Sequence, residues 1–146
     1  MVNIVVGRER HVKRLVDQAS GVEIEFEYRL PTNNERIRYQ REAVANRGRK
    51  VVLKGAAAAR ELVQTLIQGF RFPSPDPDTQ IRWENDQGEW VSLSCRPGDP
   101  GYREDWLAIL ERAVPGMLEA LGMMVFAGVR DADGEIEFGY EEEAPN

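Results

Sequence analysis

Seven cations fall within nineteen residues of this chain, Arg36, Arg38, Arg41, Arg47, Arg49, Lys50 and Lys54, with Tyr39 among them. Clustered cations neutralise phosphates and a tyrosine ring can stack on a base, so these residue types suit a nucleic-acid contact. They suit equally a docking face for an acidic protein, or a helix face that simply meets water. A net charge of −6 and a pI near 4.9 argue against nucleic acid, whose binding domains are usually basic. Arg36, Arg38, Tyr39, Arg41, Arg47, Arg49 and Lys50 are therefore candidate partner-binding residues, with a protein as the expected partner and nucleic acid as the alternative.

Catalytic chemistry finds little footing. A Ser-His-Asp or Cys-His arrangement would have to use His11, the sole histidine, and nothing in the sequence ties it to Cys95 or to a serine. Neither a Gly-x-Ser-x-Gly elbow nor a Gly-x-x-x-x-Gly-Lys phosphate loop occurs. One histidine and one cysteine, without Cys-x-x-Cys or His-x-x-x-His spacing, do not make a zinc site. Asp131-x-Asp133 resembles the opening of a calcium loop, but Gly134 stands at the fourth position rather than the sixth, and a hairpin turn explains Asp133-Gly134 more simply. Carboxylate pairs are abundant, yet 17 acidic residues after Pro73 make such pairs expected by chance. No enzymatic activity, metal or cofactor is expected. A small enzyme built from scattered carboxylates is the remaining alternative.

The charge is divided along the chain. Up to Pro73 there are 14 Lys and Arg against 8 Asp and Glu; beyond it there are 5 against 17. Either the halves neutralise each other, within the fold or across a homo-oligomer, or they serve two partners. Phe72-Pro-Ser-Pro-Asp-Pro-Asp78 lies where the sign changes, and its prolines forbid helix and central strand, so an extended connector is expected at residues 73–78.

The elements that must carry these side chains follow from periodicity. Val2 to Val6 suit a short strand, and Val12, Leu15, Val16 and Ala19 have helical spacing, with a strand turning at Ser20-Gly21 as the competing reading. From Val22 to Leu30 every even position is apolar and every odd one charged, which is a strand with one buried and one wet face. Thr32 and Glu35 have capping-box spacing and start a helix over about 33–46, with Ile37, Gln40, Arg41 and Val44 along one side and Gly48 after it. A second helix is expected over 56–68, with Leu62, Val63, Leu66 and Ile67 as its apolar face. Two short strands flank Glu84 to Glu89, carrying Trp83 and Trp90. After the breakers of Arg96 to Gly101, a long apolar helical stretch is divided near Pro115, where a further helix begins. Its Met117, Met123 and Met124 are read as core packing, with an adaptable binding groove as the alternative. A turn at Asp131 to Gly134 precedes alternating Ile136, Phe138 and Tyr140 and an acidic tail at 141–146.

These readings give an α+β fold, a single compact domain over 1–140, mainly helical with short antiparallel hairpins. A chain of 146 residues buries about 70% of its unfolded surface, enough for one core. No apolar run is long enough to span a membrane, and the lone Cys95 suits a reducing compartment, so the cytoplasm is the expected location.

Several segments carry a family likeness: Phe26-Glu-Tyr-Arg-Leu-Pro-Thr32, Glu35-Arg-Ile-Arg-Tyr-Gln40, Ala59-Arg-Glu-Leu62 leading to Leu66-Ile-Gln-Gly-Phe70, Asp105-Trp106-Leu107, Pro115-Gly-Met-Leu-Glu-Ala-Leu121 and Val125-Phe126. Together they resemble tail assembly chaperones and other minor tail-region proteins of tailed phages and prophages, over most of residues 22–138. The resemblance implies a non-enzymatic role: holding the tape-measure protein and helping tail-tube subunits assemble around it. Family members are largely helical, whereas the hairpin around Trp83 and Trp90 adds strand here. The family has no catalytic motif to transfer.

Overall fold

The computed structural model describes residues 10–43 and 54–128, which form an α+β fold. The expected strand at Val2–Val6, the turn and alternation after Asp131 and the tail at 141–146 lie outside the described residues, as does the helix beyond Ala43.

A three-stranded antiparallel sheet in the order β1-β2-β3 opens the fold, with β1 at His11–Val16, β2 at Glu23–Tyr28 and β3 at Ile67–Arg71. Helical spacing at Val12, Leu15 and Val16 is therefore overridden, and the strand reading holds. Gly21 takes φ +81 and its N–H reaches Asp17 O at 2.7 Å, closing a tight turn that aligns Leu15 with Ile24 across the pair. The alternation of β2 then sorts the side chains. Ile24, Phe26 and Tyr28 are buried, while Glu23, Glu25 and Glu27 face outward.

Those three carboxylates are matched in turn by arginines from the flanking strands and from the residue just before β1. Glu27 pairs with Arg10 at 3.5 Å, Glu23 with Arg14 at 2.8 Å and Glu25 with Arg71 at 2.5 Å. Cross-strand opposite charges each contribute a few tenths of a kcal/mol, about 0.2–1, and here they also pin the register of both neighbours. This need for cations beside β2 helps explain why the basic segment before it pairs as a strand.

Arg29 leaves β2 and meets α1 (Asn33–Ala43) at its capping box. Glu35 N–H donates to Thr32 Oγ1 at 3.2 Å, and Thr32 N–H donates to Glu35 Oε1 at 2.8 Å. The same carboxylate takes two bonds of 2.8 Å from the Arg29 guanidinium. The expected inner stripe of α1 is corrected: Ile37, Gln40 and Arg41 are exposed and Tyr39 is the buried residue.

α2 (Lys54–Val63) ends earlier than its apolar pattern suggests. Thr65 Oγ1 donates to Leu62 O at 2.9 Å and Leu66 N–H to Val63 O at 2.8 Å, a tight turn that frees Ile67 to begin β3. A run of Leu66, Ile67 and Phe70 fits either element in isolation. Pairing with β2, Phe26 opposite Phe70, decides for strand.

The proline connector contains one 3-10 turn at Pro77–Thr79, capped by Asp76 Oδ1 on Asp78 N–H at 3.0 Å. Beyond it β4 (Arg82–Glu84) and β5 (Trp90–Ser92) form the expected hairpin. α3 (Trp106–Ala113) breaks at Val114, and α4 (Pro115–Gly122) starts with Pro115 at its first turn, as read from the sequence. One π-helical turn, Met123–Ala127, follows and ends at Gly128 with φ +74. Residues on both sides of the connector share one hydrophobic cluster, including Ile24, Phe26, Leu66, Leu93, Leu110 and Leu118. Met117 and Met124 belong to it, which makes them core rather than groove. Among the described residues no helix is long and apolar enough to cross a membrane.

Candidate functional site

Among the described residues of the basic segment, the side chains that stood out in sequence are not presented together as one patch. Tyr39 is 8% exposed and stacks on Phe126 with ring centroids 5.0 Å apart, its hydroxyl reaching Met123 Sδ at 4.0 Å. Burial raises its pKa, and the ring is not offered to a partner's base. Arg36 is used internally as well, donating to Val125 O at 3.4 Å near the end of the π-helical turn. Arg38 pairs with Glu42 at 2.9 Å one helical turn on, which raises its pKa through that hydrogen bond. Arg41 is exposed. Arg47, Arg49 and Lys50 lie outside the described residues, and Lys54 begins α2.

The other singled-out residues are also accounted for. His11 lies half-buried against Tyr28, with ring centroids 5.7 Å apart. Cys95 is half-buried at the outer edge of β3, where Phe70 N–H donates to its Sγ at 3.4 Å and the thiol donates to Phe70 O at 3.5 Å. Among the described residues no group of three His, Cys, Asp or Glu is placed to hold a metal ion.

A different constellation emerges from the hairpin. In its register Trp83 opposes Val91 and Glu84 opposes Trp90, so the two tryptophans lie on opposite faces. Trp83 packs on the core, donates from Nε1 to Gly101 O at 3.0 Å, and is covered by Arg103 at 5.0 Å from its ring centroid. Trp90 faces outward and is 57% exposed, the most exposed large apolar side chain among the described residues. Arg82 shares that outward face with Ser92.

Between this hairpin and the end of β3 lies an open groove of about 510 Å³. Arg71, Arg82 and Arg96 line it, with Asp99 the one acidic residue of the lining. Arg71 is engaged with Glu25, and Asp99 accepts a hydrogen bond from Ser94 Oγ at 2.7 Å. Arg82 Nη2 donates to Trp90 O at 2.9 Å, a bond that places the guanidinium without neutralising it. Arg96 is set by a turn in which its N–H donates to Ser94 Oγ at 2.9 Å. Among the described residues neither Arg82 nor Arg96 takes part in an ion pair. Two cations and an exposed indole are thus gathered along one groove, while the hydroxyls of Ser92 and Ser94 are taken up by Gln80 and Asp99.

Sequence reasoning located the hairpin and both tryptophans but not this groove. The usable signal is the rarity of cations after Pro73: Arg82 and Arg96 are two of only 5 there. Their convergence with Arg71 depends on how the hairpin folds back on β3, which local pattern does not encode. No family model, curated protein or solved structure matches the chain.

Proposed function

We propose that this chain is a non-enzymatic protein-binding domain that assists the assembly of a phage or prophage tail, acting in the cytoplasm. The observation that carries the binding role is Trp90, held 57% exposed beside Arg82 at the rim of an open groove. Exposed tryptophan and arginine are the residue types that most often anchor protein interfaces. A groove of this size takes a few residues of a partner rather than a folded element. The tail role rests on the segments that resemble tail assembly chaperones, and it makes the tape-measure or tail-tube protein the expected partner.

The test is co-expression with a tape-measure protein and, separately, with a tail-tube protein of a tailed phage. The partner is expected to co-purify and to gain solubility, and Trp90→Ala is expected to weaken the complex while leaving the fold intact. Failure of both candidate partners to co-purify or to become more soluble overturns the tail role.

A further inference from the structure

The groove beside the hairpin has a charge opposite to its surroundings. Arg71, Arg82 and Arg96 line it with Asp99 as the single acid, while the adjoining strand, loop and turn expose Asp76, Asp78, Glu84, Asp86 and Glu89. A ligand held there therefore meets positive charge only over a short stretch. Guanidinium groups form paired, charge-assisted hydrogen bonds with carboxylates, and those bonds are about twice as strong as neutral ones. Arg82 and Arg96 are the two lining cations without a carboxylate partner among the described residues. The hydroxyls of Ser92 and Ser94 are taken up by Gln80 and Asp99, which leaves the two guanidinium groups to engage a ligand, and Trp90 offers an apolar face at the rim.

We infer that this groove holds a short, extended, acidic segment of a partner protein, with carboxylates on Arg82 and Arg96 and an apolar side chain against Trp90. This inference rests on the protein-binding role proposed above and supplies the chemistry of the partner. A short peptide fits the charge pattern better than a nucleic acid does. A nucleic-acid strand carries a phosphate at every nucleotide without interruption, so it would run from the groove onto the exposed carboxylates of the same hairpin. Strand-like walls, Phe70 to Phe72 on one side and Trp90 to Ser94 on the other, suit an extended backbone more than a helix.

Calorimetric titration of the full chain with the capped peptide Glu-Leu-Glu-Leu-Glu tests the inference, with its all-Gln counterpart and a short oligothymidylate as comparisons. The acidic peptide is expected to bind, the Gln peptide to bind at least about tenfold more weakly, and affinity to fall as salt rises. The double variant Arg82→Gln, Arg96→Gln is expected to lose about tenfold or more in affinity. Both side chains are exposed, so an unchanged melting curve should accompany that loss. Arg82→Lys with Arg96→Lys should recover part of it. The inference falls if the acidic peptide does not bind, if the double variant binds it as well as the wild type, or if oligothymidylate binds more tightly. It also falls if the double variant abolishes self-association, since the occupant would then be a second copy. A tail partner that co-purifies equally with wild type and double variant removes the groove assignment and leaves the assembly role standing. Peptide binding without any tail partner does the reverse.

Discussion

Gly122 of α4 lies directly against the backbone carbonyl of Ala59 in α2, with no room for a methyl group between them. A Cβ at Gly122 would meet the Ala59 carbonyl oxygen, the carbonyl carbon at 2.7 Å and the Ala59 Cβ at 2.9 Å, and two of those three atoms are backbone. The helices cross this closely because both offer small residues there. Alanine at 122 would gain helix propensity worth about 1 kcal/mol, but it must push apart two elements that share the core. Overpacking of this kind typically costs about 1–3 kcal/mol. Gly122→Ala is therefore expected to be destabilised despite the better helix former, which urea unfolding would read directly. Equal or greater stability would show that α2 and α4 slide freely.

The Arg29–Glu35 pair predicts a pH dependence. Glu35 is held at about 2, below its ordinary 4.5, chiefly by the Arg29 hydrogen bonds and then by the Thr32 N–H. A carboxylate with a depressed folded-state pKa contributes stability that is full above about 4.5 and lost as pH falls through the folded value. Glu35→Gln keeps an acceptor for the cap but removes the charge. It should be less stable than wild type at pH 7, by at most about 1 kcal/mol for a pair this exposed. The gap should close between pH 4.5 and 2. Acid titrations of the two proteins that stay parallel through that window would contradict the assignment.

Tyr39 should behave as a packing residue and not as a partner contact. Its ring bridges α1 to Phe126 and Met123 in a small cluster with Ala58, Ala59 and Leu62. Tyr39→Ala is expected to cost about 3 kcal/mol, whereas Tyr39→Phe should cost little, because among the described residues the hydroxyl has only a 4.0 Å contact with a thioether. Chemical denaturation of both variants separates the ring from the hydroxyl. A Tyr39→Ala protein of wild-type stability would mean that α1 is not docked through this residue.

Cys95 should resist conservative replacement. Its sulfur both accepts from and donates to Phe70 on the outer edge of β3. Cys95→Ala leaves that backbone pair without its side-chain partner, at a cost of about 1 kcal/mol. Serine keeps a donor and an acceptor on a shorter bond that falls back from the strand. It is therefore expected to be no better than alanine, and thermal melts of the two variants would tell. Full recovery by serine would show that the edge adjusts to meet it.

Legibility in the sequence followed the range of the interaction that decided each element. The capping box at Thr32 and Glu35, the alternation of β2, the hairpin turn between Glu84 and Trp90 and the helix start at Pro115 are all set within a few residues, and all were readable. Where local pattern was ambiguous, distant pairing chose. Val12 to Val16 has helical spacing yet pairs with β2, and Ile67 extends a helical stripe yet opposes Tyr28. In α1 the spacing pointed to Ile37, but packing against Phe126 and the small residues of α2 buried Tyr39 instead. The candidate groove was the least legible, because Arg71, Arg82 and Arg96 come from three separate segments and meet only after the hairpin folds onto β3.

The shared core has a consequence for the proline stretch that marks the change of charge. Phe26 and Leu66 come from before it, Leu93 and Leu118 from after it, and they fill one interior. A cut between Pro73 and Asp78 would not release two independent units, since each piece would carry one half of a mating apolar surface. Nicked protein should stay together as a non-covalent pair and part only when denatured. Two separately made fragments, mixed, should reconstitute the fold. That makes the connector a natural place to split the chain into reporter halves, each silent alone and informative on reunion.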